Sequence, residues 1–245
     1  MTTRLDLSAH VALVTGASRG IGAAIAVALA DAGAAVAVNY RERAADAEAI
    51  IAGIKARGGR AIAVAADVSQ AVAVSTMVEQ VGRDLGPIDI LVNNAGIAIV
   101  RGIDELTESD FDRTITVNLK SAFLCTQAVL PAMPARKWGR IVNISSGAAR
   151  GAGAIGPHYN AAKAGMEGLT RGYAARLVKD GITVNNVAPS LIETDMMRGR
   201  DDMVRNIPLG RMGRPDEVAQ AVAMVLGNGY MTGQTIILNG GMAFL

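Results

Sequence analysis

Short apolar runs rich in β-branched residues alternate with longer alanine-rich segments along the whole chain. Seven of the runs have the length of strands, and six of the segments between them have the length of helices. This alternation predicts right-handed crossovers and a parallel sheet that helices cover on both faces. The apolar character of the strands agrees with burial on both sides. We therefore expect an α/β fold with a doubly wound parallel sheet of about seven strands.

The predicted strands cover residues 11–15, 35–39, 61–65, 88–93, 140–145, 182–188 and 235–238. The predicted helices cover residues 20–32, 44–57, 71–85, 108–133, 159–179 and 215–226. No linker or internal repeat divides these elements, so we expect a single domain over residues 1–245. The least regular stretch, residues 190–214, is called the lid segment here. Its mixed charges and methionines suggest a mobile lid, and a plain surface loop is the alternative.

The composition argues against several functional classes. A chain of 245 residues with 51% hydrophobic and 19% charged residues suits one globular domain with a sizeable core. The net charge of +2 is too small to argue for a nucleic acid or an anionic membrane as a partner. Asp31 breaks the longest apolar run, and the N-terminus has no signal-peptide pattern, so we expect a cytoplasmic location. Cys125, expected to be a buried thiol, makes no convincing metal site with His10 and His158.

A glycine-rich turn follows the first predicted strand and opens the first predicted helix. Its sequence, Thr-Gly-Ala-Ser-Arg-Gly-Ile-Gly, spans residues 15–22. Glycines at such a turn let the backbone approach a pyrophosphate, and the helix N-terminus offers free N–H groups and a positive dipole end. The turn therefore predicts dinucleotide binding and a sheet of the Rossmann type. Three residues separate its first two glycines and one separates the last two, which differs from the usual dinucleotide fingerprint.

Tyr159 and Lys163 lie four residues apart in a predicted helix, so they share one helical face. A free tyrosine has a pKa near ~10, and a fixed cation beside it favours the phenolate and lowers that pKa. Such a pair can carry out general acid–base catalysis near neutral pH. The alternative is a packed tyrosine beside a lysine whose amine extends to solvent, and the pair alone does not decide between them.

Four motifs together resemble the short-chain dehydrogenase/reductase family. They are the glycine turn, Asn93-Asn94-Ala95-Gly96 after the fourth strand, Ser146 after the fifth strand, and the pair of Tyr159 and Lys163. The motifs occur in the family's order, and the resemblance covers essentially the whole chain. Within the family, the segments 139–146 and 192–196 are similar to those of 3-oxoacyl-[acyl-carrier-protein] reductases and of related ketone and sugar dehydrogenases.

The resemblance implies a catalytic set of Ser146, Tyr159 and Lys163, which Asn118 completes as a tetrad. In ketone reduction, hydride passes from the nicotinamide to the carbonyl carbon while Tyr159 protonates the developing alkoxide. Ser146 hydrogen-bonds the carbonyl oxygen. Lys163 is expected to lower the pKa of Tyr159 and to bind the nicotinamide ribose. Asn118 is expected to hold a water that links Lys163 to solvent.

The resemblance and the glycine turn also imply a set of cofactor contacts. These residues are Gly16, Ser18, Arg19, Gly20, Ile21, Gly22, Arg41, Asp67, Val68, Asn94, Ala95, Gly96, Tyr159, Lys163, Ile192 and Thr194. Asp67 could otherwise be only a helix cap. The family usually has Pro-Gly where this chain has Pro189-Ser190, and serine lacks the freedom of glycine at positive φ.

Charge favours NADP over NAD as the cofactor. NAD-specific folds often place an acidic residue after the second strand to bind the ribose hydroxyls. Here that turn reads Val-Asn-Tyr-Arg and carries no carboxylate that would repel a phosphate. Arg19 and Arg41 are expected to surround the 2′-phosphate, although Arg41 could equally be a solvated charge at a helix start.

The substrate should contact residues 97–104, residues 148–157 and the lid segment. The stretch 151–156 is small and uncharged, which fits a neutral 3-oxoacyl chain or a plain ketone. An acyl-carrier protein is acidic and needs a basic patch, to which Arg136, Lys137 and Arg140 could contribute. Asp180 lies where carrier-protein reductases often have a basic residue, so coenzyme A thioesters, other ketones and sugars remain alternatives. His158 could touch substrate, but an exposed loop histidine is the favoured interpretation.

Two further expectations concern assembly and class. The resemblance implies a homotetramer, paired through the Asn118 and Tyr159 helices and the last strand. The apolar end at residues 242–245 could pack across that interface or on its own subunit. A non-catalytic nucleotide sensor is the alternative from another class, but such proteins usually lose the tyrosine or the lysine, and this chain has both.

Overall fold

A computed structural model describes residues 5–244 of the chain, apart from the side chains of Pro134 and Asp201. Its seven strands form one parallel sheet in the order β3-β2-β1-β4-β5-β6-β7. The strands are β1 (Val11–Val14), β2 (Ala35–Tyr40), β3 (Ala61–Ala65), β4 (Ile90–Asn93), β5 (Gly139–Ile144), β6 (Ile182–Pro189) and β7 (Thr235–Leu238). The predicted doubly wound α/β sheet is therefore confirmed, and the fourth strand begins two residues later than expected.

Seven α-helices connect and cover the strands. They are α1 (Gly20–Asp31), α2 (Ala44–Ala56), α3 (Ala71–Asp84), α4 (Glu108–Ile115), α5 (Ser121–Val129), α6 (Pro157–Leu177) and α7 (Pro215–Gly227). Helices α1, α2 and α7 pack on one face of the sheet, and α3, α5 and α6 pack on the other. No helix of residues 5–244 is both long and apolar enough to cross a membrane.

The two apolar layers of the core arise from the pleat of the strands, because successive side chains point to opposite faces. Val14 and Val36 belong to the layer under α1 and α7, whereas Leu13 and Leu91 belong to the layer under α3 and α5. Each of these four side chains is completely buried. The apolar runs that predicted the strands therefore fill both layers.

The prediction of one continuous helix over residues 108–133 is wrong. A π turn, Thr116–Lys120, separates α4 from α5, and the second helix ends at Val129. Pro131 follows in a 3₁₀ turn, and its lack of an N–H group explains why α5 stops there. The helix predicted over residues 159–179 begins earlier, at Pro157, which suits a first helical position because its missing donor is not needed there.

Buried asparagines join the central strands beneath the carboxyl edge of the sheet. Asn93, Asn143 and Asn186 are direct neighbours in the register of β4, β5 and β6. Asn93 Nδ2 donates to Asn143 Oδ1 (2.8 Å), and Asn143 Nδ2 donates to Thr170 Oγ1 on α6 (2.7 Å). Thr170 in turn donates to Asn186 Oδ1 (2.9 Å). This network fixes the position of α6 relative to three strands.

The lid segment closes on itself at its two ends. Ile192 and Gly213 form an isolated parallel bridge, supported by the hydrogen bond from Glu193 N to Gly213 O (2.8 Å). Two 3₁₀ turns, Asp195–Met197 and Asp201–Asn206, lie between these ends. The segment therefore has local structure and a fixed base, which the sequence did not indicate.

Candidate active site

The expected site residues lie where parallel strands end at one edge of the sheet. The glycine turn follows β1, Arg41 follows β2, Asp67 and Val68 follow β3, Asn94 to Gly96 follow β4, Ser146 follows β5, and Ile192 and Thr194 follow β6. The chain leaves β1 toward β2 on one side and returns to β4 on the other. Ligands of open α/β sheets bind at such a switch point, outside the carboxyl ends of the strands.

Two positions in the glycine turn admit no side chain. Gly16 has φ +60°, and a Cβ there would lie 2.9 Å from Ala95 Cα. A Cβ on Gly22 would lie 2.5 Å from Asn94 Nδ2 and 2.6 Å from Gly16 O. Since real Cβ atoms do not approach other atoms this closely, the turn can hold its shape only with glycine at both positions.

Two side chains that the sequence analysis did not single out hold this turn in place. Thr15 Oγ1 accepts from the backbone N–H groups of Asn94 (3.0 Å) and Ala95 (3.1 Å). Asn39 Oδ1 accepts from Gly16 N (3.1 Å). Asn94 Nδ2 donates to Thr15 O (2.9 Å) and Gly16 O (3.0 Å), so this amide supports the turn. Only the approach of β1, β2 and β4 reveals these roles.

The turn has the properties of an anion site. Arg19 is the N-cap residue of α1 and its side chain forms no capping hydrogen bond, and Ser18, Gly20 and Ile21 are partly exposed. The first N–H groups of the helix therefore point to a cleft that the glycines keep open. These residues fit a dinucleotide, whose pyrophosphate would lie against this helix end.

A cavity of about 490 Å³ lies beside the turns after β2 and β3. Its lining includes Arg41 and Asp67, together with residues of α4 and the π turn. Burial works against ionisation of Asp67, but hydrogen bonds from Ser69 and the charge of Arg41 outweigh it and lower the pKa of this carboxyl. Ser69 N and Oγ both donate to Asp67 Oδ1, at 2.9 and 2.7 Å. Val68 is buried next to it.

The two arginines expected to surround a 2′-phosphate each contact a different carboxylate. Arg19 Nη1 lies 2.8 Å from Asp195 Oδ2 in the lid segment, whereas Arg41 pairs with Glu42. Arg43, which the sequence analysis passed over, lies 3.9 Å from the same Asp195 oxygen. All three guanidinium groups are exposed and lie on the glycine turn or just after β2. Arg19 is thus joined to the lid segment, whereas Arg41 is joined to Glu42.

Ser146, Tyr159 and Lys163 form a cluster at the carboxyl end of β5. Ser146 lies near Tyr159, its Oγ accepts from Ala148 N (3.2 Å), and Lys163 Nζ lies 5.7 Å from the centroid of the Tyr159 ring. Burial raises the pKa of Tyr159, and the nearby Ser146 hydroxyl offsets this only in part. The expectation of a pKa below the ordinary value is therefore wrong, because desolvation of the phenolate dominates.

Lys163 is buried, with 4% of its surface exposed, and its ammonium donates to Ile144 O (2.8 Å). Burial lowers the pKa of Lys163 from 10.5 to about 8. The lysine therefore does not extend to solvent, which was the alternative interpretation of this pair. Its charge is costly in this surrounding, and an anionic ligand near it would favour the protonated form.

Asn118 lies in the π turn between α4 and α5 and is completely buried. Its Oδ1 accepts from Ile97 N (2.7 Å) and its Nδ2 donates to Ile97 O (2.9 Å). Gly96 lies against both Asn118 and Lys163, since a Cβ there would be 3.3 Å from Asn118 Oδ1 and 3.8 Å from Lys163 Nζ. The Asn118 side chain therefore holds the loop after β4, and π turns are frequent at functional sites.

His158 is buried on α6, so the favoured interpretation as an exposed loop histidine is wrong. Its Nε2 lies 2.9 Å from Ile99 O, which ties the loop after β4 to the helix that carries Tyr159. Ser190 does not adopt a positive φ, so this departure from the family pattern causes no backbone strain. Its hydroxyl occupies the space that a Cβ on Gly147 would need, next to Ser146.

Comparisons with known proteins agree with this arrangement. A family model described as short chain dehydrogenase matches residues 10–205. The 3-oxoacyl-[acyl-carrier-protein] reductase of Synechocystis sp. is 44% identical over 241 residues, which cover 96% of this chain and 98% of that protein.

Two solved structures have the same fold over nearly the whole chain. A putative gluconate dehydrogenase from Agrobacterium tumefaciens has a TM-score of 0.92 at 34% identity and covers 98% of each chain. A short-chain dehydrogenase from Burkholderia cenocepacia in complex with NADP has a TM-score of 0.90 at 40% identity, covering 98% of this chain and 99% of its own. This chain therefore belongs to the short-chain dehydrogenase/reductase family and is an NAD(P)-dependent oxidoreductase that acts on CH–OH or C=O groups.

Proposed function

We propose that this protein uses NADPH to reduce a ketone, namely a 3-oxoacyl thioester, to the 3-hydroxy product. The observation that carries this proposal is the buried pair of Tyr159 and Lys163, with the half-buried Ser146, beside a turn that fits a dinucleotide. The 44% identity to a 3-oxoacyl-[acyl-carrier-protein] reductase supports the choice of substrate class.

The proton chemistry follows from the state of Tyr159. Its raised pKa keeps the phenol protonated at neutral pH, which suits a proton donor in the direction of reduction. Bound NADPH supplies the hydride for the carbonyl carbon. Tyr159 donates its proton to the carbonyl oxygen as negative charge develops there, and Ser146 hydrogen-bonds the same oxygen. The closeness of Ser146 to Tyr159 supports the convergence of the two hydroxyls on one atom.

Lys163 and Asn118 support the proton transfer from Tyr159. The Lys163 ammonium stabilises the tyrosinate left after proton transfer, and it would hold the ribose of the cofactor. The main chain of the π turn at Asn118 departs from the α-helical hydrogen-bond pattern, which supports a water site on the path from Lys163 to solvent. We expect that path to return the proton to Tyr159.

The preference for NADP rests on cations near the turn after β2. Arg19, Arg41 and Arg43 are exposed there, and the tip of β2 presents Asn39 and Tyr40 where NAD-specific folds have a carboxylate. Each of these arginines pairs with a local carboxylate that a phosphate would have to replace: Arg41 with Glu42, Arg43 with Asp46 at 3.2 Å, and Arg19 with Asp195 at 2.8 Å. A related short-chain dehydrogenase crystallised with NADP supports the same preference.

The carrier of the acyl chain is the least determined part of the substrate. Lys137 Nζ lies 3.3 Å from Asp180 Oδ1, and Arg136 pairs with Asp89 at 2.8 Å, so two cations of the expected basic patch are neutralised. Arg140 is partly buried and donates to Leu226 O and to Gly139 O. These contacts weaken the attraction for an acidic carrier protein and leave coenzyme A thioesters, other ketones and sugars as competing substrates.

A sugar or another secondary alcohol is the second candidate substrate. The similarity to a putative gluconate dehydrogenase favours it, and so does the neutralised basic patch. The same catalytic residues would then oxidise the alcohol, with Tyr159 as the base. A non-catalytic nucleotide sensor is a remote alternative, because the chain keeps Asn118, Ser146, Tyr159 and Lys163, the groups of the proposed chemistry.

The proposed assembly is a homotetramer that pairs through α5 and α6. A groove of about 340 Å³ runs along these helices, lined by Ile115, Leu119, Lys120, Phe123, Gly165 and Leu169. Phe123 is 43% exposed there, which a partner would cover. Near the last strand, Met242 and Phe244 are exposed as well, whereas Leu245 lies outside the described residues. A monomer mass in light scattering at micromolar concentration would contradict this assembly.

The decisive experiment measures NADPH oxidation with acetoacetyl-CoA, acetoacetyl-carrier protein, a diketone and a sugar lactone, and NADP reduction with the corresponding alcohols. We expect the thioesters to be the fastest substrates and Tyr159→Phe to lower kcat by about 10²- to 10⁴-fold. Tyr173→Phe is the matched control, since Tyr173 lies on the same helix and its hydroxyl contacts Gln127 instead. Full activity of Tyr159→Phe would refute the mechanism.

Two further measurements test the choice of cofactor and the choice of acyl carrier. Equal kcat/KM with NADH and NADPH would refute the preference for NADP. Asp180→Arg removes the partner of Lys137 and should raise kcat/KM for the carrier-protein substrate while leaving that for acetoacetyl-CoA unchanged. If kcat/KM changes equally for both substrates, the surface around Lys137 and Asp180 does not dock a carrier protein.

A further inference from the structure

The lid segment rests on the glycine turn near its first 3₁₀ turn. A Cβ on Gly20 would lie 3.4 Å from the methyl group of Thr194, so the Thr194 side chain lies close to the Gly20 backbone. The ends of the segment are joined by the bridge of Ile192 and Gly213, and its C-terminal part is held by Arg211, which donates to both oxygens of Glu217, and by Leu209 N, which donates to Gly240 O (3.0 Å). After Thr194, an ion pair between Asp195 and Arg19 joins the segment to the glycine turn.

That attachment is a carboxylate among three guanidinium groups. Asp195 Oδ2 accepts from Arg19 Nη1 (2.8 Å) and lies 3.9 Å from Arg43 Nη1. Its other oxygen accepts from Arg198 Nη2 (2.7 Å) within the lid segment. Hydrogen bonding from Arg19 and the charges of Arg198 and Arg43 hold the pKa of Asp195 below its usual range. The side chain is therefore ionised and engaged at neutral pH.

Arg19 and Arg43 flank the place where the proposed function puts the adenosine phosphate of NADP. A carboxylate and a phosphate are the two anions that guanidinium groups bind in the same manner. We propose that Asp195 is a specificity-determining latch: it holds the lid segment on the glycine turn by occupying the arginines that a 2′-phosphate needs. NADPH then displaces Asp195 and frees the lid segment, whereas NADH leaves the latch closed. This inference rests on the proposed use of NADP.

The exposure of the latch sets the size of the effect. The side chains of Arg19 and Asp195 are 50% and 37% exposed. Exposed ion pairs contribute at most about 1 kcal/mol, which corresponds to about a fivefold change in an equilibrium constant. The competition between Asp195 and the 2′-phosphate should therefore change the Kd for NADPH by about two- to fivefold. The contact between Thr194 and Gly20 need not change.

The first test compares cofactor binding in Asp195→Asn and Asp31→Asn. Asp31 is the matched control because it pairs with Arg57 at 3.0 Å at the far end of α1 and carries the same charge. Fluorescence titration should give a Kd for NADPH about two- to fivefold lower in Asp195→Asn than in the control, with the Kd for NADH unchanged. The latch proposal would be overturned if the Kd values for NADPH and NADH shifted equally, or if the Kd for NADPH did not differ from that of the control.

The second test follows the lid segment directly. Hydrogen exchange of residues 195–206 in the wild-type protein should become faster with saturating 2′,5′-ADP and should not change with 5′-AMP. In Asp195→Asn the exchange should be fast from the start. Unchanged or slower exchange with 2′,5′-ADP would overturn the proposal. A wild-type protein that binds NADPH no better than NADH would instead refute the cofactor assignment of the proposed function.

Discussion

The buried charge of Lys163 predicts how the stability of the ligand-free protein depends on pH. Burial lowers the pKa of this lysine from 10.5 to about 8, so the folded protein binds the proton more weakly than the unfolded chain does. Between these two values the unfolded chain holds more protons, and the free energy of unfolding must rise with pH in that window. At about 1.4 kcal/mol per pH unit, the full rise is about 3 kcal/mol.

Replacing Lys163 by methionine isolates this contribution. The difference in unfolding free energy between wild type and Lys163→Met should shift in favour of the wild type by about 3 kcal/mol from pH 8 to pH 10.5. Below pH 8 the difference should be flat, because both states of the wild type are then protonated. Titration of all other groups cancels to first order, since both proteins contain them.

Urea unfolding at a fixed protein concentration, at half-unit steps between pH 7 and pH 10.5, measures this difference. A fixed concentration is needed because subunit association would add to the apparent stability. Lys55→Met on α2 is the control, since it makes the same substitution at an exposed position. A flat difference for Lys163→Met, or one that moves in favour of the variant as pH rises, would refute the reasoning.

Three other predictions concern packing. Gly22→Ala should lower the free energy of unfolding by roughly 1–3 kcal/mol and weaken NADPH binding in titration, because its Cβ meets Asn94 and Gly16. Gly82→Ala is the control: Gly82 lies in open space on α3, so this change should slightly stabilise the protein. Asn143→Ala should lower the free energy of unfolding in urea by about 2–4 kcal/mol, because it removes two buried hydrogen bonds and leaves a cavity. Cys125, whose pKa is raised to about 12 by burial, should not react with a disulfide reagent at pH 8 until denaturant is added, and rapid native reaction would contradict its burial.

Most of the fold was predictable from local sequence patterns. All seven strands and the parallel sheet follow from apolar runs separated by helical segments. Strands β1, β4 and β6 are completely buried, whereas β7 at the edge of the sheet is only half-buried. The break in the helix over residues 108–133 was missed because a π turn has no local sequence signal apart from a polar residue, Asn118, in a helical run. Pro131 did signal the early end of α5, and the prediction extended past it.

The sequence predicted which candidate residues gather at the carboxyl edge of the sheet, but it did not predict their electrostatics. The glycine turn and the spacing of Tyr159 and Lys163 mark their positions in the chain, since each depends on residues close in sequence. The direction of the pKa change of Tyr159 depends on how much water surrounds it, which only packing decides. His158 was placed on an exposed loop for the same reason, because a single polar residue gives no sign of burial.

By itself the sequence determined the order of elements, the parallel sheet and the edge at which its functional residues gather. These properties depend on periodicity and on turns, which neighbouring residues specify. The tertiary structure decided which polar groups meet across strands that are distant in the chain. The hydrogen bond between Asn93 and Asn143, the burial of Lys163 and the pairing of Arg19 with Asp195 all join such segments. Their strength depends on register, distance and the exclusion of water, and those quantities exist only once the chain is folded.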